Sequence, residues 1–284
     1  MARVLLPTDG HVHSEWSWDA VAGSMERTCA RAQAIGLPSL AFTEHLDHTV
    51  WSIDRDELAA VDPDDRAVTL SDDDGRVRLP PLDVAGYLES VERCRALFPD
   101  LRVLTGLEVG EPHWHADAVA GVLAAGSFDR VIGSLHCLPD GDTFREPNGL
   151  YAHRPATDVV RDYLLEIAVL VTRSDAFAAL GHIDYPVRSW PGDQGPFDPK
   201  AFEEEFRHAL RATAESGRAL EINTVIPLDG TILRWWREEG GQAVSFGSDA
   251  HEPSEVGRDL AAATAMAEAH GFRPGRDPYA LWGR

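Results

Sequence analysis

The chain has 284 residues, enough to bury a sizeable core as one large α/β domain or two small ones. Its formal net charge of −21 implies an acidic surface that excludes nucleic acid as a favoured partner, though not a small anion met by bound divalent cations. There is no basic, apolar leader and no apolar run near the roughly twenty residues of a membrane span, and Cys29, Cys94 and Cys137 are an odd, scattered set without CxxC spacing, so a cytoplasmic protein with reduced thiols and no membrane partner is expected.

A short apolar run at residues 3 to 6 predicts the first strand, leading into Asp9-Gly10-His11-Val12-His13-Ser14 and on to Asp19. Two histidines one residue apart on an extended segment point to one side and can share a cation, although an HxH pair alone is more often a surface feature. Ser24 reads as the N-cap of a helix reaching Ile35, with Gly36 at its C′ position. Ser39 to Phe42 predicts the second strand, ending in Thr43-Glu44-His45. Residues 46 to 80 break the rhythm with Asp54, Asp56, Glu57, Asp62, Asp64, Asp65 and Asp72-Asp73-Asp74, and an acidic, solvated loop excursion is expected there.

Asp83 is placed to cap a helix through Leu97. A third strand, Arg102 to Leu107, ends in Glu108; a helix near residues 114 to 125 leads to the fourth, Arg130 to Leu135, ending in His136. Residues 137 to 155, with Pro139, Gly141, Pro147 and Asn148-Gly149, read as loop. A helix from Ala156 to Thr172 precedes the fifth strand, Phe177 to Leu180, which ends in Gly181-His182-Ile183-Asp184. A helix from Pro199 to Glu215 leads to the sixth, Arg218 to Ile222, ending in Asn223. One from Leu228 to Glu238 leads to the seventh, Ala243 to Phe246, ending in Gly247-Ser248-Asp249-Ala250-His251.

Seven strand-then-helix units argue for an α/β fold closed as a parallel, TIM-like barrel, with an open doubly wound sheet as the alternative. No linker or composition shift divides them, so residues 1 to 284 read as one domain. In such a barrel the active site lies at the C-terminal rim of the strands. A metal-capable residue follows nearly every predicted strand: His11 and His13, His45, Glu108, His136, His182, and Asp249 with His251. Six of the twelve histidines are thereby accounted for, and the second HxH, His113-Trp114-His115, falls in a helix-entry loop instead.

Imidazole and carboxylate without thiolate suit zinc, manganese or iron and argue against a closed structural zinc site. With Asp19 there are nine candidate ligands, more than one ion needs, so two or three ions sharing a carboxylate are expected. Clustered divalent ions make hydroxide available at neutral pH and neutralise phosphate oxygens, which favours hydrolysis by direct attack on phosphorus without a protein nucleophile.

The ordered motifs DGHVHS, TEH, GLEVG, IGSLH, GHID, EINT and GSDAH, from Asp9 to about Gly257, resemble the polymerase and histidinol phosphatase (PHP) superfamily, and more closely its monofunctional histidinol-phosphate phosphatases. The resemblance implies a distorted (β/α)7 barrel with three divalent ions. It assigns His11, His13 and Asp249 to one ion, which Glu108 bridges to a second completed by His136 and His182. Asp19, His45 and His251 match the positions that hold the third, with hydroxide on the ions held by Glu108, Asp249 and His251. Asp9 and Glu44 match groups that orient imidazoles. The implied reaction is hydrolysis of L-histidinol phosphate in histidine biosynthesis. Alternatives are another small phosphoester, such as a nucleotide or sugar phosphate, or a non-catalytic metal-stabilised domain.

For the substrate, a small phosphorylated molecule, Arg188 offers a planar bidentate donor six residues beyond His182, and Arg154 is a second candidate. Glu15 and Glu111 are candidates for an ammonium group, and Trp16 and Trp18 are either pocket walls or core. Asn223 either shapes the pocket or serves structural hydrogen bonding. The sequence carries no signal for an oligomeric state.

Overall fold

In a computed structural model that describes residues 6–54 and 66–284, seven parallel strands curl into a distorted α/β barrel of the TIM type with helices outside them. The strands in chain order are β1 (Asp9–Val12), β2 (Ser39–Leu46), β3 (Trp51–Ser52), β4 (Arg76–Val77), β5 (Arg102–Gly110), β6 (Arg130–Ser134), β7 (Leu138–Asp140), β8 (Thr143–Arg145), β9 (Ala179–Leu180), β10 (Ala219–Asn223), β11 (Ala243–Gly247) and β12 (Trp282–Gly283). The main sheet has the order β1-β2-β5-β6-β9-β10-β11-β12, with only β12 antiparallel to its neighbour. Its two sides meet where the Asp249 amide donates to the His11 carbonyl and the His13 amide to the Ala250 carbonyl, both at 2.8 Å. Closure therefore occurs at the rim, through residues of the first and last motifs.

The helices begin and end where their caps dictate. Ser24 accepts from the Arg27 amide at the start of Met25–Ile35, and Gly36 ends it at φ 76°, a conformation that costs a residue with a Cβ about 1 kcal/mol or more. Asp83 accepts from the Gly86 amide before Val84–Leu97. That helix is pinned to the barrel by Tyr87, whose hydroxyl donates to the Phe42 carbonyl at 2.7 Å and accepts from the Gly106 amide at 2.8 Å. Along Ala156–Arg173 the buried positions Val160, Leu164, Ile167 and Val171 recur at helical spacing, and each buried branched side chain contributes about 2 kcal/mol of apolar transfer.

Several expectations are corrected. The first strand is not the apolar run: residues 3 to 5 lie outside the described residues, Leu6 is not in a strand, and β1 is the DGHV motif itself. Pro7 lacks the amide that a central strand needs, while Asp9 and His11 are polar because they line a site. β2 and β5 run on past His45 and Glu108, and their register sets those two residues side by side.

The excursion at 46 to 80 is not simply solvated loop. β3 pairs with β4, and Trp51 and Val77 form a small core with Cys137, flanked by Trp18, Leu70 and Phe144. Asp56, Glu57, Asp62, Asp64 and Asp65 lie outside the described residues. The 137 to 155 segment holds the β7–β8 hairpin and the short helix Pro147–Leu150, with Gly141 at φ 60° in the turn. Short pieces bounded by glycine and proline carry no periodicity, and so both segments read as loop. The helix Leu260–Ala269 and strand β12 follow the seventh barrel strand and were not anticipated. No helix among the described residues is long and apolar enough to cross a membrane.

Candidate metal centre

The strand pleat brings His11 and His13 to one side while Val12, between them, is fully buried in the core. The His11 and His13 Nε2 atoms lie 3.1 Å apart. His11 Nε2 is 3.2 Å from Glu108 Oε2 and 3.5 Å from Asp249 Oδ1, and His13 Nε2 is 3.4 and 3.3 Å from the same two oxygens. The two imidazole nitrogens and either oxygen thus lie within 3.5 Å of one another, close enough for three donors to meet one ion at the roughly 2.0 Å of a zinc–nitrogen or zinc–oxygen bond. Glu108 turns its other oxygen to a second group: Oε1 is 2.8 Å from His182 Nε2, 3.2 Å from His136 Nε2, and accepts from the Ser134 hydroxyl at 2.6 Å. A third group forms around Asp19, whose Oδ2 is 3.3 Å from His45 Nε2 and 3.1 Å from His251 Nε2. All nine residues singled out as ligands thus converge on one rim.

This donor set fits cations. Glu108 Oε2 is buried without a hydrogen-bond donor among the described residues, although three imidazole nitrogens stand within 3.4 Å of it. Acceptors crowded together in low dielectric are costly unless a positive charge sits between them. Protons are the alternative occupants. Against the burial that opposes charge on the ring, Glu221, Glu108 and Asp249 hold His11 well above the ordinary imidazole range. Against the same burial, Asp19, Glu108 and Asp47 raise His45, and Glu108 with Asp47 raises His136. His13 goes the other way, to about 3, because burial and then the neighbouring His251 and His45 rings disfavour its charge.

Around these donors the positioning partners differ from those expected. Among the described residues Glu44 makes no hydrogen bond to an imidazole; it accepts from the Ser14 and Ser17 hydroxyls, both at 2.6 Å, and Ser17 Oγ in turn lies 2.9 Å from His13 Nδ1. Asp9 accepts from the Ser248 and Gly257 amides, both at 2.8 Å, so it fixes the loop carrying Asp249 rather than a ring. The imidazole partners are Glu221, 2.7 Å from His11 Nδ1, and Asp47, 3.2 Å from His45 Nδ1 and 3.3 Å from His136 Nδ1. Both were legible in principle. Glu221 is a carboxylate inside an otherwise apolar strand run, and Asp47 lies two residues beyond His45, where strand alternation returns to the same face.

The cleft above the three groups is walled by Trp18, Tyr185, Arg188 and Glu146. Arg188 donates to Asp249 Oδ2 at 2.5 Å and lies over the Tyr185 ring. Asn223 also donates to Asp249 Oδ2, at 3.2 Å. Arg154, the other arginine candidate, pairs with Asp162 and does not line the cleft. Trp16 packs against the core. Glu15 accepts from the Met25 amide, and Glu111 from the His136 and Cys137 amides and the Thr49 hydroxyl, and neither lines the cleft. His113 pairs with Glu166 and His115 with Thr49, apart from the three groups.

Asp249 holds its place at φ 53°, in the left-handed region, because its amide is committed to closing the barrel. Replacing it by glycine should therefore leave the chelator-treated protein about 1 kcal/mol more stable than replacing it by alanine, although both remove the carboxylate. Denaturant unfolding of the pair measures this, and an alanine variant of equal or greater stability would mean the backbone is not strained there.

Comparison with known proteins places the site in context. Residues 9–225 match the PHP domain family model. A histidinol-phosphatase of Lactococcus lactis is 25% identical over 256 residues, covering 86% of this chain and 83% of that protein. A probable histidinol-phosphatase of Deinococcus radiodurans is 29% identical over 263 residues, 88% of each. Among solved structures, the Lactococcus lactis histidinol phosphate phosphatase, complexed with zinc, L-histidinol and phosphate, superimposes with a TM-score of 0.78 at 23% identity, covering 98% of this chain and 97% of that one.

Proposed function

Because the chain belongs to the PHP domain family, we propose that it is a metal-dependent histidinol-phosphate phosphatase, hydrolysing L-histidinol phosphate to L-histidinol and phosphate in histidine biosynthesis. The observation that carries this reading is Glu108, a buried carboxylate whose two oxygens face two separate sets of imidazoles at the barrel rim, beneath a cleft that holds Arg188. The relatives' names supply the substrate.

Three divalent ions are assigned as follows. His11, His13 and Asp249 hold one, which Glu108 joins to a second held by His136 and His182; Asp19, His45 and His251 hold the third. Nitrogen and oxygen donors without thiolate suit zinc, the ion in the Lactococcus lactis complex, and also manganese or iron. Such ions supply a water of lowered pKa and charge neutralisation for phosphate oxygens.

The chain's own groups supply the rest. Glu221 and Asp47 fix the ring orientations of His11 and His136, Asp47 also stands 3.2 Å from His45 Nδ1, and the Ser17 hydroxyl links His13 to Glu44. Arg188 is a bidentate donor at the cleft, and a phosphate entering there competes with Asp249 for its guanidinium. Arg154 plays no part in this reading.

A panel of phosphate esters on metal-loaded enzyme tests the proposal. We expect kcat/KM for L-histidinol phosphate to exceed that for nucleotides, sugar phosphates and phosphoserine by more than about tenfold, or about 1.4 kcal/mol of transition-state stabilisation. A smaller preference would transfer the assignment to another small phosphoester. After a single turnover in oxygen-18 water the released phosphate should carry the label, and a trapped phosphoenzyme would overturn direct transfer to water.

A further inference from the structure

Four carboxylates line the cleft, and three of them belong to the histidine groups: Asp19, Glu108 and Asp249 each lie within 3.5 Å of imidazole nitrogens. The fourth, Glu146, does not. It stands at the start of the short helix Pro147–Leu150, yet its side chain makes no capping hydrogen bond. Its hydrogen-bond partner is the Tyr185 hydroxyl, which donates to Oε1 at a long 3.4 Å. Among the described residues no arginine, lysine or histidine forms an ion pair with it, and the neighbouring Arg145 turns to Asp140 and Asp54 instead. Arg188, the cationic wall of the cleft, is engaged with Asp249.

Glu146 is only half-buried, so water still reaches its carboxylate, and a partly desolvated carboxylate in a cleft without a counter-ion is placed to take the charge of a ligand. The Glu146 carboxyl is pushed up to about 7 by burial, slightly relieved by the nearby His136 ring. An entering cation offsets that cost.

We propose that Glu146 is the residue that receives the cationic end of the substrate, so that the cleft selects phosphate monoesters of amino alcohols over uncharged esters. The phosphate end lies over the three histidine groups and Arg188, and the ammonium or imidazolium end lies against Glu146 beside Tyr185. This deepens the phosphatase reading above and rests on it. It also takes over the role considered for Glu15 and Glu111, which do not line the cleft.

The experiment compares wild type, Glu146→Gln and Glu146→Asp, each loaded with metal, its metal content and melting temperature recorded. Substrates are L-histidinol phosphate and p-nitrophenyl phosphate, with L-histidinol as a competing product. For Glu146→Gln the KM for L-histidinol phosphate and the Ki of L-histidinol should both rise by about tenfold or more, the loss on the cationic ester exceeding that on p-nitrophenyl phosphate by the same factor. Glu146→Asp, which keeps the charge, should recover part of the loss. Equal losses on both esters, or an unchanged Ki, would overturn the assignment. If instead wild type prefers the uncharged ester, the phosphatase reading fails on substrate. The inhibition by L-histidinol, compared between wild type and Glu146→Gln, still decides whether Glu146 binds a cation.

Discussion

Glu108→Gln should lose bound metal and phosphatase activity together, with kcat down by about a thousandfold or more. The substitution preserves size and shape, so the barrel is kept. What it changes is the charge and one of two oxygens that serve different groups: Oε2 toward His11 and His13, Oε1 toward His136 and His182. An amide presents one acceptor and one NH2 donor, and the donor end would be directed at ring nitrogens whose lone pairs the proposed centre assigns to a cation. Either flip of the amide damages one group.

The loss also removes the anion that, with its neighbours, raises His11, His45 and His136. Several kcal/mol of transition-state stabilisation from clustered ions corresponds to the stated factor. Metal analysis by mass spectrometry, beside kcat at saturating substrate, reads both halves. A variant with full metal and full activity would refute the assignment of Glu108 as the shared ligand; normal metal with lost activity would restrict it to a catalytic role.

The sequence made the rim legible because a barrel repeats one placement: each strand delivers its last residues to the same ring. His45, Glu108, His136, His182 and Asp249 could be named from their position after apolar runs alone. The division of nine ligands among three ions, and with it the grouping of Asp19 with His45 and His251, came from the family resemblance, since no periodicity connects those three. The first strand was misread for the opposite reason. Its residues, Asp9 to Val12, are polar where they serve the site, and apolar content is what identifies strands.

The orienting carboxylates show the same limit. Asp9 and Glu44 adjoin motif histidines in sequence, yet their partners are backbone amides and serine hydroxyls. Glu221, 210 residues from His11, orients that ring. Only the strand order, which sets β10 beside β11 and closes β11 onto β1, brings the two together. Glu146 was hidden in a segment that reads as loop, because a three-residue hairpin arm and a one-turn helix are too short for a pattern.

Removing the metals should lower the melting temperature, and the gap between loaded and chelator-treated protein should widen as pH rises from about 6.5 to 9. In the chelator-treated protein His11, His45, His136 and His251 have pKa values raised above the ordinary imidazole value, against burial, chiefly by carboxylates. A group whose folded pKa exceeds its unfolded one contributes stability that is complete below the unfolded pKa and is lost as pH climbs through the folded pKa. The stripped centre therefore weakens on the alkaline side, where its imidazolium ions disappear and leave Glu108, Asp249 and Asp19 as buried, unneutralised anions.

With metal bound those imidazoles are neutral in both directions of the titration and the cations persist, so this loss is absent. His13, held at about 3, and His182, lowered mainly by burial, are already neutral in this window and add nothing to the slope. Each proton displaced by metal is worth up to about 1.4 kcal/mol per pH unit, which for a chain of this size is a few degrees in melting temperature. Thermal unfolding at pH 6.5, 7.5 and 8.5, with and without chelator, measures the gap. A gap that stays constant or narrows with pH would mean that protons and metals do not compete for these imidazoles, and the three-group centre would have to be redrawn.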